Sequence, residues 1–250
     1  MFGSQSESET LTGIMPRLLM DPALQPLAHA YGVGDVVCDP QIPAAHTFLI
    51  ESGEVRVFQV LGKGNRRLMS IYGPGHWFGY SAVAALPFYM FRSIAATPCK
   101  IWKTPAHLVR EAMARQPEAM IEVLRSLAVY LQTTAEETSQ MANDDCRNRL
   151  VHTLVKFSAS AAATSDEKGV VLRMTHEQLA QAVGAARETV SLALTELRDL
   201  NLLGTGRNRL TFNPKALREF IQEREPSAHA ASTGPNTSDN DASQNNSNGG

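Results

Sequence analysis

The sequence predicts an α+β protein in three parts: an N-terminal β-roll of the jelly-roll kind, a long dimerisation helix, and a C-terminal winged helix-turn-helix. Three observations carry this. From about Gly32 to Lys103, short alternating apolar and polar runs are broken by glycine; after Pro117 the apolar residues recur at steps of three and four; and Thr175–Gly204 reads as two short amphipathic helices around a glycine turn. The resulting boundaries are a flexible N-terminus over 1–14, the β-roll over 15–116, the helix over 117–143, the winged domain over 144–225 and a disordered tail over 226–250.

The N-terminal MFGSQSESET is polar and acidic and lacks the basic-then-apolar order of a secretory signal. Strand-like runs follow at Thr47–Ile50, Val55–Val60 and Arg67–Tyr72, separated by Ser52-Gly53, Gly62-Lys63-Gly64-Asn65 and Gly73-Pro74-Gly75. Spacing alone leaves open whether the interior of this roll holds a small ligand or is filled by side chains. No Asp, Glu, Lys or Arg occurs between Leu68 and Phe91, but Gly73, Pro74, Gly75, Gly79 and Pro87 would break a membrane-spanning helix there. The expectation is a soluble cytoplasmic protein with no membrane association.

In the long helix, Met120, Leu124, Leu127, Leu131, Thr134, Thr138 and Met141 form a coiled-coil seam, which predicts homodimerisation. A helix packed on its own domain would also be apolar at these steps, over a wider stripe. Asn143-Asp144-Asp145 interrupts the seam and marks a hinge, where Asp145 can cap a new helix through Leu150, Leu154 and Phe157. Thr175 and Gln178 then make a capping-box start, Leu179, Ala180 and Val183 form an inner face, and Gly184 supplies the turn. Val190, Leu194 and Leu197 recur at helical spacing, leaving Arg187, Glu188, Ser191, Leu192 and Thr195 outside, where a helix inserted into the major groove carries its base readers. Capping and periodicity alone also fit two ordinary helices of an all-α domain. The sequel favours duplex recognition: Leu202-Leu203-Gly204, the basic turn Gly206-Arg207-Asn208-Arg209 and the alternating Leu210-Thr211-Phe212 read as a two-stranded wing.

The chain of 250 residues is 43% hydrophobic, enough for two cores, and its net charge is only −2. A slight basic excess, 12 Lys/Arg against 10 Asp/Glu, falls on residues 145–225. Cys38, Cys99 and Cys146 are too scattered for a disulfide framework, a zinc site or an iron–sulfur cluster and read as reduced thiols. Gly62-Lys63-Gly64-Asn65 lacks the spacing of a phosphate loop, and no nucleophile with its base or carboxylate pair stands out, so an enzyme is not predicted. The alternative of another class is a binding module whose C-terminal domain contacts protein.

These pieces, in this order, resemble the CRP/FNR family of bacterial transcription regulators over roughly residues 15–222. The most specific are Val183-Gly184-Ala185-Ala186-Arg187-Glu188-Thr189-Val190-Ser191 and Leu197-Arg198-Asp199-Leu200-Asn201-Leu202-Leu203; Ser52-Gly53-Glu54-Val55 and Gly73-Pro74-Gly75-His76-Trp77-Phe78-Gly79 support them. The resemblance implies a cyclic-nucleotide-binding-like β-roll as sensor, a homodimer on a palindromic operator in double-stranded DNA, and RNA polymerase as a further partner. By position it makes Arg187 and Glu188 the principal base readers, and their chemistry agrees: arginine donates to guanine O6 and N7, glutamate accepts from cytosine N4. Ser191 can bond a base or a phosphate. Leu192 stands where many relatives carry a second arginine and offers a thymine methyl contact instead. Ala186 replaces the usual capping hydroxyl. Thr175, Thr189 and Arg209 suit phosphates by hydroxyl, helix-terminal amide and charge.

For the effector, the resemblance points to Gly79, Arg92, Ser93 and Thr134. The family's ribose-binding glutamate after the glycine is Tyr80 here, Arg92-Ser93 survives as an anion-gripping pair, and Ala135 replaces a second hydroxyl on the helix. These departures argue against cyclic AMP. Haem is the other sensor chemistry, and His46, His76 and Cys99 are axial candidates by residue type only; no closely spaced N-terminal cysteine set for an iron–sulfur cluster precedes Cys38. Neither cofactor is supported.

Overall fold

A computed structural model of the protein describes residues 13–62, 65–143, 145–167 and 169–222. The expected tail at 226–250 and most of the expected flexible N-terminus lie outside those residues. A short helix α1 (Ile14–Leu19) opens the described chain, one residue inside the span expected to be flexible. It is anchored by its own side chains and by a distant carboxylate. Met15 and Leu19 are fully buried, and Glu122 accepts hydrogen bonds from the amides of Ile14 and Met15 at 2.6 and 3.3 Å, filling donors that a helix start leaves open.

The β-roll is two four-stranded antiparallel sheets. One holds β1 (Leu27–Tyr31), β8 (Cys99–Pro105), β3 (His46–Ser52) and β6 (Trp77–Phe78) in that order; the other holds β2 (Val36–Cys38), β7 (Arg92–Ala95), β4 (Val55–Val60) and β5 (Arg66–Tyr72). Four consecutive residues of β3, Thr47 to Ile50, are buried, because both faces of that strand are covered. Phe48 and Ile50 enter the space between the sheets with Val55, Phe78 and Ile101. Leu49 faces the other way, into a cluster with Met15, Leu19, Trp77, Val109 and Val123 that joins α1, α3 (Ala106–Arg115) and α4 (Pro117–Asn143) to the outside of the sheet. Rings line the roll's interior: Phe48 stacks on Phe78 with centroids 5.0 Å apart and Tyr89 lies 5.9 Å from Phe48, while at the edge the half-buried Tyr72 stacks on the exposed His76 at 3.9 Å.

Helix α4 carries two apolar stripes. Ala119 and Val123 are buried against its own domain, whereas Met120, Leu124 and Leu131 are exposed in the single chain. Leu127, placed on the seam by its spacing, packs instead at the edge of the inner cluster. Asp145 caps α5 (Cys146–Phe157), its carboxylate accepting from the Asn148 amide at 2.8 Å.

The C-terminal domain combines α5, α6 (His176–Val183), α7 (Arg187–Asp199) and α8 (Pro214–Gln222) with a sheet ordered β11 (Leu203–Gly206), β12 (Arg209–Phe212), β10 (Gly169–Leu172), β9 (Ala163–Asp166). The wing is therefore half of a four-stranded sheet, not an isolated hairpin. Val171 pairs with Thr211, and β10 brings, in the buried Val171 and Leu172, the apolar support that two strands lack alone. Leu150, Leu154, Phe157, Leu179, Val190, Leu194 and Leu197 form its core, which continues into Phe58, Leu68 and Ile71 of the β-roll. Ion pairs reinforce this junction: Glu137 of α4 accepts from Arg67 of β5 at 3.5 Å and from Lys156 of α5. A cavity of about 320 Å³ opens beside them, bordered by Thr133, Glu136, Arg149, His152 and Val183.

Candidate nucleic-acid interface

The turn between α6 and α7 is built from local chemistry. The Gln178 amide donates to the Thr175 hydroxyl at 3.1 Å, and the Thr175 amide donates back to the Gln178 side chain at 3.0 Å, closing the capping box. Gly184 ends α6 at φ 72°, a left-handed conformation that a side chain disfavours, and its amide bonds the Ala180 carbonyl at 2.9 Å. Ala186 leads α7 without a side-chain cap, so the first-turn amides have no side-chain acceptor from that position and remain suited to an incoming phosphate.

Val190, Leu194 and Leu197 hold α7 against the core, which turns Arg187, Glu188 and Thr189 to the surface. Leu192 is 61% exposed, on the same outward face as Glu188. Ser191 and Thr195 are half-buried, and their hydroxyls donate to the carbonyls of Arg187 and Ser191 at 2.9 and 3.1 Å. The Ser191 oxygen also lies 2.8 Å from Nδ1 of His176. Sequence reasoning does not reach His176, the first residue of α6; its only signal is its place directly after the cap Thr175. On the wing, Arg209 pairs with Asp166 of β9 at 2.8 Å, while Arg207 at the turn is exposed. Arg207 stands in the basic turn of the wing but is not among the contacts expected from the sequence.

The effector candidates stand differently. Gly79 caps a four-residue helix, α2 (Tyr80–Val83). The Arg92 side chain is bonded through Nε to Asp39. Burial works against the Asp39 charge, yet the Gln41 amide and the Arg92 guanidinium outweigh it and hold the carboxyl below its ordinary value. Ser93 is buried opposite Cys38 and bonds its thiol. Thr134 donates to the Tyr130 carbonyl at 2.8 Å. Tyr80, at the position of the family's carboxylate, lies 4.3 Å from the Trp77 ring and bonds Ser126 of α4, and burial pushes its phenol up to about 12. Among the haem candidates, Cys99 donates inside the fold to the carbonyls of Glu54 and Thr97, and burial lowers the pKa of both His46 and His76. Among the described residues no group of three or more His, Cys, Asp or Glu is placed to hold a metal, and no helix is long and apolar enough to cross a membrane.

A profile of the cyclic nucleotide-binding domain matches residues 28–116, and one of the Crp-like helix-turn-helix domain matches residues 148–220. The chain belongs to the CRP/FNR family of transcription regulators. It is 27% identical over 198 residues to the transcriptional regulator SdrP of Thermus thermophilus, covering 78% of this chain and 94% of that protein. It is 26% identical over 188 residues to the global nitrogen regulator of Synechococcus elongatus, covering 74% and 85% respectively. The crystal structure of a CRP/FNR-family regulator from Thermus thermophilus superposes with a TM-score of 0.63 at 25% identity, over 78% of this chain and 98% of that one. As in those relatives, the β-roll and the helix-turn-helix belong to a DNA-binding transcription regulator.

Proposed function

We propose that two copies of this chain pair through the exposed stripe of α4 and lay their α7 helices in successive major grooves of a palindromic operator, about 34 Å apart. Arg187 and Glu188 read bases at the start of each helix, with Ser191 and Leu192 one turn on. Thr175, Thr189 and Arg209 hold phosphates and fix register, Arg209 exchanging Asp166 for the duplex. The observation that carries this reading is the outward first turn of α7, with an arginine and a glutamate side by side over an uncapped helix start.

The sensor is read as responding to something other than cyclic AMP. Tyr80 removes the ribose-binding carboxylate, and Asp39 already neutralises the arginine that would meet a phosphate. Neither haem nor an iron–sulfur cluster is assigned. The chain acts as a cytoplasmic regulator with RNA polymerase as a partner, not as an enzyme. Selecting bound duplexes from a random pool tests this reading: a recovered two-fold motif with half-sites one helical turn apart supports it, and failure to enrich any sequence, with or without cell extract, refutes it.

A further inference from the structure

The Ser191 hydroxyl is held from two sides. It donates its single proton to the Arg187 carbonyl, 2.9 Å away and one turn earlier on α7, and its oxygen lies 2.8 Å from Nδ1 of His176 on α6. A serine oxygen has one proton and two lone pairs. With the proton on Arg187, the contact to His176 is a hydrogen bond only when Nδ1 carries hydrogen. A ring protonated at Nε2 alone would take the serine proton instead; the Nδ1-protonated neutral ring and the imidazolium both supply the hydrogen. One lone pair then remains for the DNA.

We propose that His176 is a positioning residue that makes Ser191 an acceptor-only reader, selecting an exocyclic amino group at one operator position. In the major groove those groups are adenine N6 and cytosine N4; guanine O6 and N7, thymine O4 and the phosphate oxygens are all acceptors and cannot bond an oxygen whose proton is committed. The half-buried imidazole bridges α6 and α7 and fixes the serine rotamer that reaches back to Arg187. Without it the hydroxyl is free to rotate and offer its proton to an acceptor instead, so the loss falls on discrimination at one base pair. This proposal rests on α7 being the helix inserted in the groove.

The test compares the full chain with His176→Leu, His176→Asn, Ser191→Ala and the double variant His176→Leu/Ser191→Ala. Each selects duplexes from a random pool and is titrated against the selected operator and its single-pair variants. The unaltered chain favours adenine or cytosine at one position by about 2- to 13-fold over guanine or thymine, the worth of one hydrogen bond. His176→Leu and Ser191→Ala each flatten the preference at that same pair, the double variant flattens it no further, and His176→Asn, whose amide N–H replaces Nδ1–H, restores it. A uniform loss across all duplexes, an effect at a different pair, or additive effects overturn the proposal. If the unaltered chain enriches no sequence, groove insertion falls and this proposal with it; a motif that His176→Leu leaves untouched sinks only this proposal. Should His176→Leu fail to fold, the ring nitrogen shifts of the unaltered protein decide: a histidine protonated at Nε2 alone overturns it.

Discussion

Leu124 and Leu131 stand seven residues apart on α4 and are 65% and 66% exposed in the single chain. Fully burying a leucine is worth about 1.5–3 kcal/mol, so covering the exposed two-thirds against a second copy contributes about 1–2 kcal/mol per side chain. A two-fold dimer contains each leucine twice. Truncating both to alanine removes most of four such contributions, about 3–5 kcal/mol, which weakens association by about 100- to 5000-fold. Sedimentation equilibrium of Leu124→Ala/Leu131→Ala over a range of concentrations reads this directly. The monomer keeps its far-ultraviolet circular dichroism and a cooperative thermal transition, because neither leucine belongs to a core within its own chain, although loss of the partner lowers the transition temperature. A dimer constant within a few-fold of the unaltered protein refutes the pairing through α4, and loss of the fold refutes the assignment of these residues to its free face.

Replacing Arg187 with Ala lowers operator affinity and relaxes discrimination at one base pair, by about 1–3 kcal/mol in competition binding; an equal loss for every sequence makes Arg187 a phosphate contact. Gly53→Ala destabilises the β-roll by at least about 1–3 kcal/mol in urea unfolding, because the backbone there sits at φ +95° and a Cβ would lie 2.5 Å from both the Cys99 sulfur and the Pro98 carbonyl. An unchanged midpoint contradicts that contact. Burial pushes the Cys38 thiol up to about 11, so at pH 8 about one in a thousand is ionised; mass spectrometry after iodoacetamide treatment finds Cys38 unmodified in the folded protein and modified on unfolding or as pH approaches that value. The Asp39 carboxyl is held below its ordinary value in the fold, so its contribution to stability is present above the unfolded carboxylate pKa of about 4 and is lost as pH falls through the folded one. Asp39→Asn therefore flattens the acid limb of the stability curve, and an unaltered limb denies the pair with Arg92 any such role.

What was legible in the sequence was local. The capping box at Thr175, the stop at Gly184, the cap at Asp145 and the run of α4 follow from residues within one or two turns of each other, and periodicity names the buried face of each helix. Partners chosen across the fold were not legible. Nothing near Ile14 announces that Glu122, 108 residues on, closes the start of α1. Nothing in the wing sequence announces β10 and β9, because a four-residue strand such as Gly169–Leu172 is too short to show its period. Phe58 and Leu68 alternate correctly for a sheet, but only the assembled chain shows that their face is covered by the C-terminal domain and not by water.

The same distinction decides how the sensor is to be read. Arg92-Ser93 is visible as an anion-gripping pair because its chemistry is written in two adjacent residues, whereas its engagement depends on Asp39 and Cys38, more than fifty residues earlier. An anion arriving at Arg92 must compete with a carboxylate already bonded to it, and the competing carboxylate is buried, so releasing it would leave an uncompensated charge in the roll. A neutral or apolar effector faces no such cost. The rings of Phe48, Phe78 and Tyr89 line the same interior with Tyr72 at its edge, and Phe91, next to Arg92, lies edge-on to Tyr130 of α4 at 6.1 Å. A molecule that displaced Phe91 would disturb its edge contact with Tyr130 of α4, the helix whose Glu137 pairs with Arg67 of β5 and Lys156 of α5.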